Sequence, residues 1–214
     1  MDRLTLRRHM MPASTLIAFV ATMLPAGRAA LGHLALGVAL LGTYWLVEWH
    51  GIAGTYEGRV PRRALARARR ALWLAGLVLC VVDFLWLGWT PWQGRAVRAV
   101  GVAVFLAGIG LRLWSMRTLS SAFSYDVKVT EGQELIRGGP YRVLRHPAYT
   151  GLLLWSIGFA LWNPSLPGLV VLLVVTLDEI AFRVRNEERL LAAHFGDAWQ
   201  RHAQATWAVI PLLW

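Results

Sequence analysis

Two stretches of the 214-residue chain gather side chains able to do chemistry. The first is Gly138-Gly139-Pro140-Tyr141-Arg142-Val143-Leu144-Arg145-His146-Pro147-Ala148-Tyr149-Thr150-Gly151. Two glycines before a proline force a tight turn. Pro147 suits the first turn of a following helix, where its missing N–H costs nothing. Tyr141, Arg145, His146 and Tyr149 are thereby gathered at the mouth of that helix. Taken singly they fit anchoring at a membrane interface, with arginine on phosphate and tyrosine among headgroups. Anchoring alone does not require the order of the whole string. The second stretch runs from Asp178 to Arg189. Glu179, Arg183 and Glu187 stand at i, i+4 and i+8 and share one helical face. Two exposed ion pairs, at about 0.3–0.5 kcal/mol each, account for that spacing. The sharper reading is a binding face, with Arg183 on an anion and Glu187 on an ammonium group or ribose hydroxyls.

The elements that must position these residues are written in the composition. Hydrophobic residues make up 57% of the chain and charged ones 16%, and mean hydropathy is +0.47. A soluble domain is less apolar and more charged. Twelve tryptophans also suit a membrane interface. Stretches Leu31–Trp49, Ala71–Thr90 and Ala96–Trp114 approach the roughly 20 apolar residues a spanning helix needs. Tyr149–Trp162 and Gly168–Phe182 are shorter and read as a tight helical hairpin around Asn163-Pro164 and Pro167-Gly168. Met10–Gly27 crosses thinly or lies in the interface. With Arg3, Arg7 and Arg8 ahead of it, it mimics a signal peptide, which is expected to be retained. The expected fold is all-α, a polytopic bundle of five or six spans.

The net charge of +10 and pI near 11.1 admit either nucleic acid or basic loops on one side of a bilayer. Placing the cations decides between them. With His50–Arg70, Ser115–Ala148 and the C-terminal tail on the cytoplasmic side, and Met10–Gly27 crossing, 18 of the 22 Lys and Arg residues fall inside. Arg28, Arg95 and Arg98 fall outside, and Arg112, placed in the last turn of its helix, snorkels inward. The positive-inside rule absorbs the charge, and nucleic acid is not an expected partner. The single cysteine, Cys80, excludes an intrachain disulfide and a cysteine-cluster metal site. Asp83 sits twelve residues into its apolar stretch, about 18 Å from its start. It is expected to face the bundle interior, in a structural polar contact or a substrate role. His33 and His50 read as interfacial. His194 and His202 fall on an amphipathic tail helix, where a metal is not expected. Trp207, Ile210, Leu212, Leu213 and Trp214 are expected to dock on the membrane face.

The spacing Gly-Pro-Tyr, three residues, Arg-His-Pro, one residue, Tyr, one residue, Gly, then a hairpin, then Arg, three residues, Glu-Glu, resembles the isoprenylcysteine carboxyl methyltransferase and phospholipid N-methyltransferase family. Trp155-Ser156-Ile157-Gly158, Asn163-Pro164, His194-Phe195-Gly196 and Ile210-Pro211 add to the match, which covers roughly residues 110–211. It divides the chain into N-terminal helices without a matching motif, 1–109, and a methyltransferase core, 110–214.

The resemblance implies an integral-membrane enzyme using S-adenosylmethionine, with S-adenosylhomocysteine as product and no metal. Its cofactor pocket is cytoplasmic, formed by the loop before the hairpin and the helix after it. Carried over by position, Glu134, Leu135 and Ile136 line the adenosine end. Tyr141, His146, Pro147 and Tyr149 form the cofactor string, Glu187 holds the cofactor with Glu188 beside it, and Arg183 meets the substrate. The family often has a histidine near Gln133-Glu134, which this chain lacks. The implied partners are membrane lipids and a lipid-like or small amphipathic acceptor entering from the bilayer.

These residue types suit in-line methyl transfer. Aromatic faces of Tyr141 and Tyr149 attract a sulfonium. Arg183 can orient a carboxylate, which needs no base. An amine or thiol acceptor loses a proton, for which His146 or Glu187 is the base. A carboxylate, an amine and a thiol all fit the sequence. An NADPH-dependent sterol reductase of related architecture is the nearest alternative enzyme. Its Asn-Tyr and Gly-Asp pairs are replaced here by Ala148-Tyr149 and Gly151-Leu152. A membrane scaffold or transporter leaves the first string unexplained.

Overall fold

The computed structural model describes residues 63–119 and 134–212, preceded by Ala35, Gly37, Leu41 and Gly42, which are helical. The rest of Leu31–Trp49, all of Met10–Gly27, and His33, His50, Leu213 and Trp214 lie outside the described residues. From residue 63 on, the described residues form α1 Arg63–Val82, α2 Arg95–Leu119, α3 Pro147–Trp162, α4 Leu166–Phe195 and α5 Asp197–Ala205. Among the described residues there is no strand beyond a single parallel bridge, Leu144 with Trp207.

The helices meet through glycine rather than through large side chains. Gly101 and Gly108 of α2 lie seven residues apart, as do Gly151 and Gly158 of α3. A Cβ on Gly108 would stand 2.6 Å from the Gly151 carbonyl oxygen and the Trp155 nitrogen. One on Gly101 or Gly158 would run into the opposite backbone. Small residues are what lets helices associate in lipid, where apolar surface alone gives no drive. Phe105, Ile109, Trp155, Phe159 and Trp162 fill the space around this seam, and Leu41, Leu77, Cys80 and Leu172 close it on the α1 and α4 side.

The expected hairpin is present, with a buried turn. Asn163 and Ser165 are fully buried. Ser165 Oγ accepts from Gly168 N at 3.0 Å and caps α4, where Pro167 costs no hydrogen bond. Asp83 belongs to this turn and not to mid-bundle. Helix α1 begins at Arg63 and passes into a π-helical turn, Asp83–Leu87, that stops at Gly88. Asp83 therefore sits in the last turn, because the apolar run starts eight residues inside the real helix. Its Oδ1 accepts Trp89 N at 2.8 Å and its Oδ2 accepts Thr90 Oγ1 at 2.7 Å. Thr90 Oγ1 in turn accepts from Leu166 N at 2.7 Å. The role is structural: Asp83 ties the end of α1 to the start of α4.

Arg112 also departs from its expected place. Helix α2 runs on to Leu119, so Arg112 is buried two turns inside it. It does not snorkel toward the cytoplasmic side as expected; its Nη1 donates to the Ala148 carbonyl at 3.0 Å, in the first turn of α3.

Among the described residues, α2 is the one helix long and apolar enough to cross a membrane by itself. The apolar part of α1, Ala71–Leu87, is shorter, and α3 has 16 residues. Val170, Val174 and Leu177 make an exposed apolar row on α4, as Val100 and Leu106 do on α2. Exposed Trp86 and Trp89 mark one end of the bundle, and exposed Trp114 and Trp207 the other. Two such belts suit the two interfaces of a bilayer.

Candidate functional site

The site lies at the Trp114 and Trp207 end, where the first string meets α4. Gly139 takes a left-handed φ of 57°. A side chain there would be strained and would press on Thr118 Oγ1 of α2, 2.9 Å from an added Cβ. The turn drops Pro140 and Tyr141 into the interior, with Tyr141 Oη 3.5 Å from the Ser115 carbonyl. Pro147 then starts α3 with His146 as its cap residue.

His146 is buried between two carboxylates of α4. Its Nδ1 lies 3.3 Å from Glu187 Oε2, and its Nε2 lies 3.4 Å from Glu188 Oε1. Nε2 is buried without a well-directed hydrogen bond. Burial opposes a charge on His146, but the bonds and charges of Glu187 and Glu188 outweigh it and hold the imidazole above its ordinary value. Glu188 is held below the usual carboxylate range, first by the bond from His146 and, against the cost of burial, by Arg145. Tyr149 stacks on His146 at 5.8 Å and donates its hydroxyl to Glu187 Oε1. Burial and the charge of Glu187 raise the Tyr141 phenol, so it stays neutral.

The C-terminal segment completes this end, in a way the sequence reading did not foresee. Arg145 Nε donates to Glu188 Oε1 at 2.8 Å, and its Nη1 donates to the carbonyls of Ala203, at 2.8 Å, and Thr206. Arg145 N donates to Trp207 O at 2.7 Å, His146 N to Ala208 O at 2.9 Å, and Trp207 N to Val143 O at 3.0 Å. Thr150 Oγ1 donates to Val209 O at 2.6 Å. Ala208 and Val209 are buried against Leu153, Ile180 and Val184. The backbone of the tail thus pairs with the string. Trp207 and Leu212 stay exposed, and Ile210 packs on the small core.

The structure brings Tyr141, His146, Pro147, Tyr149, Glu187 and Glu188 together, from segments 38 residues apart. Arg183 joins them through Tyr149 and is itself held by Glu179, whose Oε1 accepts its Nε at 2.7 Å. The i, i+4 ion pair is therefore real. Glu134, Leu135 and Ile136 stand apart from this network. Glu134 is exposed, and the following Arg137 ties the stretch to α5 by donating to Ala198 O at 3.0 Å. His202 is buried beside Trp199; burial and the charges of Arg137 and Arg145 lower its pKa. His194 is exposed against Phe195. No group of three or more metal-ligating side chains occurs among the described residues.

Arg69, Arg112 and the tail carbonyls are not expected at the site from the sequence. For Arg112 a signal existed: a cation deep in an apolar run, one turn past Gly108. Fold and site together define a helical protein with apolar outer faces and a buried acid–base cluster at one end of its bundle.

Comparison with known proteins narrows the class. Residues 96–198 match the family model described as phospholipid methyltransferase. The chain is 30% identical over 117 residues to protein-S-isoprenylcysteine O-methyltransferase B of Arabidopsis thaliana, covering 53% of this chain and 58% of that protein. It is 25% identical over 184 residues to the protein-S-isoprenylcysteine O-methyltransferase of Dictyostelium discoideum, covering 82% and 76%. The match spans 58–62% of the length of the plant relatives. The fold is similar to a eukaryotic intramembrane Ras methyltransferase, an isoprenylcysteine carboxyl methyltransferase, with a TM-score of 0.52, 18% identity, and coverage of 94% of this chain and 97% of that one. The phospholipid methyltransferase match at residues 96–198 takes in both motifs, and the relatives similar to this chain include isoprenylcysteine O-methyltransferases.

Proposed function

We propose that the protein is an integral-membrane methyltransferase that uses S-adenosylmethionine to methylate a lipid-like or small amphipathic carboxylate. The observation that carries this reading is the Tyr149–Glu187–His146–Glu188 cluster, assembled from two separate motifs. Its chemistry fits the cofactor. Two carboxylates suit an ammonium group and a ribose diol, two tyrosine rings suit a sulfonium, and the poorly satisfied Nε2 of His146 suits an acceptor atom. Glu187 and Glu188 would hold the cofactor with Tyr141, His146, Pro147 and Tyr149, and Glu134, Leu135 and Ile136 would flank the adenosine end. The bound cofactor supplies an electrophilic methyl group on a cationic sulfur.

A carboxylate acceptor is favoured by the state of His146. Its Nδ1 faces Glu187 and its Nε2 faces Glu188, so both ring nitrogens lie against carboxylates and neither is offered to an acceptor as a free base. An acceptor that arrives ionised needs no base, and Arg183 is the cation placed to orient it. Positioning donor and acceptor in line is then the main task of the protein, an effect of up to about 7–11 kcal/mol. The names of the Arabidopsis and Dictyostelium relatives support O-methylation.

The cation distribution supports a cytoplasmic site and C-terminus, with helices α1 to α4 and Leu31–Trp49 as five spans and Met10–Gly27 as a sixth if it crosses. S-adenosylhomocysteine is expected to raise the melting temperature of the purified protein in detergent, and Glu187→Ala to abolish the shift. No shift for the wild type would refute the reading.

A further inference from the structure

Helix α1 lies outside the matched region 96–198, yet Arg69 on it reaches the acidic residues of α4 beside the site. Arg69 is mostly buried against α4. Its Nε lies 2.7 Å from Asp178 Oδ2, its Nη1 lies 3.4 Å from Glu179 Oε2, and its guanidinium carbon stands 5.0 Å above the Phe182 ring. Glu179 therefore divides its carboxylate: Oε2 faces Arg69 and Oε1 accepts Arg183 Nε at 2.7 Å. Arg183 in turn reaches Tyr149, and Tyr149 donates to Glu187. The polar contacts run without a gap from α1 to the cluster.

We propose that Arg69 is a positioning residue for methyl transfer: by holding Asp178 and one oxygen of Glu179, it sets the Arg183 guanidinium beside Tyr149, where the acceptor carboxylate is received. This rests on the methyltransferase reading above. The physical reason is competition for Arg183. A carboxylate with both oxygens available takes a guanidinium in a two-bond fork. With Arg69 in place, one oxygen of Glu179 is engaged elsewhere, and the other takes Arg183 through Nε. Without Arg69, Glu179 turns both oxygens on Arg183 and draws it from Tyr149 and from the acceptor. Lysine cannot replace Arg69 fully, because one ammonium cannot bridge two carboxylates with the same fixed fork. The donor side is insulated, since Glu187 and Glu188 are held by Tyr149, His146 and Arg145.

The test uses the full chain in lipid nanodiscs, S-adenosylmethionine as donor and an S-farnesylated cysteine with a free carboxylate as acceptor. Arg69→Gln is expected to raise the acceptor KM by about tenfold, with kcat changed by less than about threefold. The melting shift given by S-adenosylhomocysteine stays that of the wild type. Arg69→Lys falls between. Arg69→Gln/Glu179→Gln recovers much of the lost acceptor affinity, because the competing charge is gone. The proposal is overturned if Arg69→Gln leaves the acceptor KM within about twofold, or if it lowers the S-adenosylhomocysteine shift in step with activity. It is also overturned if the double variant is worse than Arg69→Gln, or if a wild type that binds S-adenosylhomocysteine transfers no methyl group to this acceptor. A wild type that does not bind S-adenosylhomocysteine refutes the methyltransferase reading itself.

Discussion

Gly151→Ala tests whether the glycine seam sets the site. Gly151 closes the first string, one turn below Pro147, and faces α2. A Cβ there would stand 2.6 Å from the Gly108 carbonyl oxygen and 2.9 Å from both Cβ and N of Arg112. Ordinary contact begins at 3.4 Å, so α3 must move from α2 by about 0.5–0.8 Å. Neither helix has a flexible group there to give way. Overpacking of this kind costs about 1–3 kcal/mol. The gain of alanine over glycine in a helix offsets up to about 1 kcal/mol of it. A net loss of about 1–2 kcal/mol lowers the melting temperature by roughly 3–6 °C for a chain of this size. Activity suffers more. The same shift displaces Tyr149 and His146 and stretches the Arg112 bond to Ala148. Since misplacement by 1 Å can cost about a hundredfold in rate, a loss of about tenfold in kcat is expected. Gly110→Ala is the control: it lies on α2 in the same turn, exposed, with nothing within 4 Å of an added Cβ. Melting curves in detergent and methyl transfer from labelled donor read both effects. If Gly151→Ala matches Gly110→Ala in melting temperature and in kcat, the seam does not position the site.

Two further perturbations separate the ends of the bundle. The pairing of His146 with Glu187 and Glu188 raises its folded pKa above the ordinary 6.5, so its contribution to stability is whole below 6.5 and is lost as pH rises through the folded value. Melting temperature should therefore fall toward alkaline pH in the wild type, and His146→Gln should remove that slope; a wild-type slope unchanged in the variant would disprove the charged pairing. Asp83→Ala leaves Trp89 N–H and the Thr90 hydroxyl without their buried acceptor, at a cost of about 2–4 kcal/mol. Because this lies at the far end, binding of S-adenosylhomocysteine is expected to stay within about twofold of wild type; isothermal titration showing a larger loss would mean that the two ends are coupled.

What the sequence reveals depends on whether the signal is local. The Arg-His-Pro string and the Glu187-Glu188 pair are legible because each function sits within a few consecutive residues. The positions of α2, α3 and α4 are legible because apolar runs of helical length have few other uses in so short a chain. Asp83 makes one of the two contacts expected of it, a buried structural one, but its place in the last turn is hidden because hydropathy locates an apolar stretch and not a helix. The arginines from 63 to 70 belong to α1 but read as loop. The same error puts Arg112 near a helix end. Tail pairing is invisible for another reason: Arg145 N and His146 N bond to the carbonyls of Trp207 and Ala208, and backbone groups are alike in every residue. The seam is half legible, since Gly101, Gly108, Gly151 and Gly158 repeat at seven, but spacing alone does not say which helix faces which.

The two parts of the chain that sequence leaves without a chemical role, α1 and the tail, hold α4 from opposite sides. Arg69 engages Asp178 and Glu179 on one turn, and Arg145 engages Glu188 two turns later. Between them Arg183 and His146 face Glu179 and Glu187. Each of these four acids is thus matched by a basic group, one supplied by α1, one by α4 and two by the string that the tail clamps. Such a face has little net field, which matters at the edge of a bilayer where a lone charge is costly. It also makes the order of the face cooperative: removing one cation leaves its acid to compete for the next. A substitution in α1 should therefore alter how Arg183 meets its ligand, and one in the tail how Glu187 and Glu188 meet theirs, before either alters the fold.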